Sequence, residues 1–244
     1  MKQSIWVFGL LLASCGGDSV ETGVGEDVAS KTTSGGGHSC LWDMAAQPDA
    51  VLSLEEAAIL ADESPEQLKQ RINTGIRSSV NYSWKGGRKH DMNIGKNTME
   101  IEVDDFIAIS IKLLDEKALT RMGRKGQKMT YLEYFDTYHG GLTELDKEEI
   151  SRELDEQETE HREVAKEIVG MVKYQGFQTY DDLGDKANSQ VNASAEKFTG
   201  LRQTELAFLH GDVVILVATD VSGEDAADLE LARAVANKVL SKCD

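Results

Sequence analysis

Five histidines, three cysteines and one aspartate-rich turn are the residues of this chain that could do chemistry. His38, His90, His139, His161 and His210 stand far apart in the sequence. None is three or four residues from another, and no H-E-x-x-H occurs, so the paired imidazoles that hold zinc on one helix face are missing. His139, in "YHGG", sits where a loop could present a general base. His161 falls on the apolar stripe of a helical pattern, where an imidazole packs at an interface more simply than it binds a ligand. In "DDLGDKAN" Asp181, Asp182, Asp185 and Asn188 gather around Gly184. Such hard oxygen donors suit calcium, but the EF-hand spacing is absent and an Asx-rich structural turn accounts for them. Of Cys15, Cys40 and Cys243, none has a second ligand at zinc spacing. Nucleophile-elbow, P-loop and dinucleotide glycine patterns are also absent. The sequence therefore predicts no catalytic residue, no metal site and no cofactor.

The elements that could position these residues start after an unusual N-terminus. "MKQSIWVFGLLLASC" has one positive charge, an apolar run from Ile5 to Ala13 and small residues before Cys15. This is the build of a secretory signal, far short of the roughly 20 residues that span a bilayer. Leu12-Ala13-Ser14-Cys15 resembles the bacterial lipobox. That resemblance implies cleavage before Cys15 and a diacylglyceryl thioether on its sulfur. Several acyl chains on one residue anchor firmly, at roughly 0.8 kcal/mol per buried methylene. The alternative is a plain signal peptide with Cys15 left as a thiol. Gly16, rather than Asp, in the next position favours the outer membrane of a Gram-negative envelope. Residues 1–14 are thus expected to be a lipoprotein signal peptide, and 15–39 a lipidated cysteine with a flexible tether. The tether is rich in Gly, Ser, Thr and acids and too poor in apolar surface to order itself.

Residues 40–244 are expected to form one domain. With Cys15 lipidated, Cys40 and Cys243 are left, and an exported chain meets an oxidising compartment where such a pair is normally bridged. Two separate buried thiols are the alternative. The net charge of −17, from 43 acidic and 26 basic residues, argues against nucleic acid as a partner. It argues equally against adhesion to anionic headgroups.

Along the domain, Ser53 with Glu56 and Ser64 with Gln67 fit capping boxes of two successive helices, the second ending at Asn73-Thr74-Gly75. Strand patterns follow at 78–84, 98–103 and 106–113. The last two share one phase. One continuous strand would place Asp105 on the apolar face, so a hairpin at Asp104-Asp105 is preferred, because it avoids that burial. "MGRKGQK" (122–128) is a basic island, read as a solvated loop. A long amphipathic helical pattern occupies 143–174, through Ile150, Leu154, His161, Val164, Ile168 and Val172, closed by Gly176. It docks on its own domain or on a partner. Strands at 203–210 and 213–219 flank a Gly211-Asp212 turn of type II′. The second is apolar throughout, so it should be central. Ser222 caps a final helix with Leu229, Ala232, Ala236, Val239 and Cys243 inward.

The fold class is α+β: a mostly antiparallel sheet backed by helices, with one long amphipathic helix inserted in the middle. The order "LSLEEAA", "NYSW", "DDLGDKA", "ELAFLHGDVVILVAT", "DLELARAVANKVL" resembles a broad group of secreted bacterial lipoproteins of unknown function. Some of these have a PsbP-like α+β sandwich. The resemblance implies fold and location and carries no active site. The expected function is a non-catalytic, membrane-anchored envelope binding or accessory module. Its partners would be membrane lipid through acylated Cys15 and an envelope protein or small ligand. The alternatives are a hydrolase-type envelope enzyme using His139 or His161, and a structural oligomer formed through the 143–174 helix.

Overall fold

The computed structural model describes residues 38–74, 78–94, 97–122, 127–140, 152, 174–193 and 202–243, with the backbone alone at 92–94, 97 and 174–175. All of them belong to one compact unit, His38–Asp244. Its elements are two short 3-10 turns (Asp43–Ala46, Pro48–Ala50), then α1 Leu54–Ala61, β1 Lys69–Thr74, β2 Ser78–Ile94 and β3 Asn97–Leu113. They continue with α2 Glu116–Met122, α3 Tyr131–His139, β4 Tyr174–Tyr180, β5 Lys186–Asn192, β6 Gln203–His210, β7 Val213–Asp220 and α4 Asp225–Leu240. The fold is α+β. Among the described residues seven strands form one sheet in the order β1-β2-β3-β7-β6-β5-β4, and every neighbouring pair is antiparallel.

The apolar run VVILVAT lies at the centre of this sheet, as its composition predicts. A strand buried on both faces reads as a continuous apolar stretch. On one face Ile215 and Val217 join Val80, Tyr82, Ile107, Ile109, Leu206 and Phe208, covered by the N-terminal turns, α1 and α4. On the other, Val214 and Leu216 pack with Leu209, Leu114, Leu119, Tyr134 and Phe135, under α2 and α3. Burial pushes the Tyr82 phenol up to about 12, so it stays neutral and donates to the Leu52 carbonyl.

The caps behave as their chemistry dictates. Ser53 and Glu56 exchange hydrogen bonds at the start of α1, and Thr130 and Glu133 repeat the device at α3. Ser64 and Gln67 do bond, through Ser64 N–H to Gln67 Oε1 at 3.2 Å, but they close a single turn. No second helix follows. Residues 69–74 pair with β2 as an edge strand, all six side chains exposed. A ladder to a formed neighbour outweighs the propensity of so short a helix.

The expected hairpin at Asp104-Asp105 is also corrected. β3 runs unbroken through both residues, paired with β2 on one side and β7 on the other. Asp105 is buried, and its carboxylate is met by Arg88, which a bulge between Trp84 and Arg88 delivers from β2.

The long helix expected over 143–174 falls outside the described residues, save Arg152 and Tyr174. Tyr174 opens β4, and Gly176 lies inside that strand where its register to β5 shifts. The expected helix stop is therefore a strand bulge. Among the described residues no helix is long and apolar enough to cross a membrane.

Candidate functional site

The β6–β7 turn gathers the two chemically capable residue types of this chain, cysteine and histidine, at one corner. The turn is Gly211-Asp212, with Gly211 at φ 61 and Asp212 outside the left-handed region, which fits type II′. Asp212 is buried and holds the start of the unit. Its Oδ1 accepts the Ser39 N–H at 3.0 Å, and its Oδ2 lies 2.5 Å from Nδ1 of His38, whose ring stacks on Trp42 at 3.8 Å between centroids. His38 and Ser39, which composition places in the tether, are thus part of the folded corner. Asp185 reaches the same turn, accepting the Gly211 N–H at 2.6 Å.

The end of α4 arrives beside this start. Its inward stripe is Asp228, Ala232, Val235, Ala236 and Val239. It begins one residue earlier than the predicted stripe, since Leu229 is only half-buried. The Cys243 N–H closes on the Leu240 carbonyl at 2.9 Å. Cys243 is joined to Cys40 in a disulfide, with a Cα–Cα distance of 5.4 Å and a sequence separation of 203. His210, the last residue of β6, completes the corner. One of its ring nitrogens and both sulfurs lie within 4.8 Å of one another. The sequence excluded metal here because neither cysteine has a ligand at short spacing, and His210 is supplied by the tertiary fold instead. The only sequence signal for it is its place immediately before a predicted turn.

A second polar cluster stands at the opposite end of β7. Arg88 donates through Nε to Asp105, through Nη1 to the Asp220 carboxylate and through Nη2 to the Asp220 carbonyl at 2.9 Å. Asp220 also accepts the Arg202 N–H at 3.2 Å, and Arg202 grips Asp225 with two bonds of 2.6 Å. Burial pushes the carboxyls of Asp105 and Asp220 up, and the Arg88 guanidinium opposes that rise without cancelling it. Gly86 makes the room: a Cβ there would stand 1.8 Å from Oδ2 of Asp105. Buried Asp228 receives the Val221 and Ser222 N–H groups at 2.9 and 3.1 Å. The expected Ser222 cap is replaced: Glu224 is the N-cap residue of α4, without a side-chain cap bond, and Ser222 instead donates its hydroxyl to Asp228 at 3.2 Å. This cluster pairs its charges internally, and its chemistry is that of a structural ion network.

The other residues singled out in the sequence are dispersed. Asp182 pairs with Arg233 at 2.6 Å, and Asp185 is used on Gly211. The "DDLGD" turn is therefore a structural connection, with Leu183 fully buried beneath it. Asn188 leaves the turn along β5 and donates to the His139 carbonyl at 2.9 Å. Together with Gln190, Glu205 and Phe177 they line a cleft with free volume of about 10 Å³, which is room for roughly one water. The His139 ring lies tilted against Phe135, with 5.3 Å between centroids. Cys15 and His161 lie outside the described residues. No protein-family model, curated protein or solved structure matches this chain.

Proposed function

We propose that the protein is a lipid-anchored bacterial envelope lipoprotein whose folded unit is a non-catalytic binding or accessory module. Its relatives in this reading are the secreted lipoproteins whose order of motifs it resembles. The observation that carries the reading is Leu12-Ala13-Ser14-Cys15 directly after a short apolar run, followed by a Gly/Ser/acid tether. Two features of the folded unit support it. A disulfide suits an exported chain, and it ties the end of α4 to the point where the tether enters. Two of the described histidines are engaged within the fold, His38 on Asp212 and His139 beside Phe135. Cys15 takes the membrane lipid, and the folded unit takes an envelope protein or a small ligand. The expected long helix over 143–174 belongs to this reading as a further face of the module.

Membrane fractionation of the bacterial cell tests the anchor. The wild-type chain sediments with membranes and partitions into detergent, and Cys15→Ser moves to the soluble fraction. Continued membrane retention of Cys15→Ser overturns the reading.

A further inference from the structure

Two sulfurs and an imidazole nitrogen within 4.8 Å of one another are more than a disulfide needs. Two thiolates with one imidazole are a donor set that holds zinc and leaves its fourth position open to water or another ligand. We propose that the corner formed by Cys40, Cys243 and His210 is a redox-gated zinc site. Oxidised, it is closed by the Cys40–Cys243 bond; reduced, the same three residues hold Zn²⁺.

The three ligands are held by structure that does not depend on the bond. His210 ends β6, opposite Val213 in the ladder. Cys243 follows α4, whose Val239, Ala236 and Ala232 are fully buried. Cys40 sits between Ser39, bonded to Asp212, and Leu41, fully buried. Opening the bond therefore asks the sulfurs to part while their backbones stay. Cys40 is exposed, and Cys243 and His210 are half-buried, so a reductant and a metal can both reach them. The net charge of −17 draws cations to the surface.

The electron count closes as follows. A reductant of the dithiol class gives two electrons and two protons, breaking the S–S bond to two thiols while itself becoming a disulfide. Zn²⁺ then displaces the two thiol protons, forming two zinc–sulfur bonds, and neutral His210 donates a nitrogen lone pair. The disulfide sulfurs carry no charge to offer, so bond and metal exclude each other.

The test uses the full chain with Cys15→Ser, in which Cys40 and Cys243 are the only thiols. Zn²⁺ alone is titrated into the oxidised chain and into the chain reduced by a phosphine, which does not compete for zinc as a dithiol does. The proposal expects one Zn²⁺ per reduced chain and none per oxidised chain. Co²⁺ in the reduced chain should give thiolate-to-metal charge-transfer absorption, and zinc should slow re-formation of the disulfide. His210→Ala should weaken zinc by at least about tenfold, the loss already typical of disturbing a ligand's outer partner. Equal binding by oxidised and reduced chains, or unchanged affinity in His210→Ala, overturns the proposal. If reduction unfolds the unit, its recovery on adding Zn²⁺ supports the proposal and its failure to recover overturns it. The result is independent of membrane anchoring, since the anchor cysteine is absent throughout.

Discussion

At the scale of single residues, Asp105 shows how a correct physical rule gave a wrong local structure. Burying a lone carboxylate is costly, and the alternation of "TMEIEVDDFIAISIKL" puts Asp105 among the apolar residues. The rule predicts a break in the strand. The structure keeps the strand and supplies Arg88 instead, through a bulge with Gly86 beneath it. Nothing near Asp105 in sequence points to a residue 17 positions earlier. Burial raises the carboxyl pKa values of Asp105 and Asp220 above the ordinary 3.8 even with Arg88 present. The folded state thus binds these protons more tightly than the unfolded chain. Their contribution to stability is complete below the ordinary value and is lost as pH rises through the raised folded values. Arg88→Met leaves both carboxylates unpaired at neutral pH and should cost about 3–5 kcal/mol in urea denaturation. That cost should shrink as pH falls and both carboxyls protonate, whereas a pH-independent cost would show that Arg88 acts through packing alone.

Elements were legible where local chemistry and tertiary pairing agree. The Ser53 and Glu56 capping box, the β6–β7 hairpin with its Gly211-Asp212 turn, and the central place of β7 follow from spacing and composition. Residues 69–74 read as helix in the sequence because Leu68 and Ile72 are spaced for one, yet the strand's hydrogen bonds come from β2, a partner that no local pattern reveals. The "DDLGD" turn reads as structural in the sequence, and its key position is Gly184. There φ is +62, and a Cβ would lie 2.3 Å from the Leu209 carbonyl oxygen. Gly184→Ala combines left-handed strain with a backbone clash and should cost about 1–3 kcal/mol or more, read as a lowered midpoint in thermal or urea unfolding. A neutral outcome would mean that the β4–β5 connection does not hold Leu183 against the sheet.

At the scale of the whole folded unit, the sheet formed by the described residues carries two apolar layers, and the Cys40–Cys243 bond joins the unit's two ends. A loop of this length gives the bond up to about 5 kcal/mol in chain-entropy accounts. The same bond gathers the start of the folded unit, the end of α4 and the β6–β7 turn at one corner. Sequence reasoning reached the pairing by elimination, once Cys15 was assigned to lipid. It did not reach His210, because a ligand delivered by a strand end leaves no short-range spacing. The chemistry of the corner stands on the Cys40–Cys243 pair itself, whereas the anchoring of the chain rests on one assignment: that Cys15 carries the lipid. Intact-mass spectrometry of the protein extracted by detergent from bacterial membranes tests that assignment most directly. The account predicts a mature chain beginning at Cys15 and carrying a thioether-linked diacylglyceryl group. A chain that retains residues 1–14, or a Cys15 that is unmodified or disulfide-bonded, would contradict it.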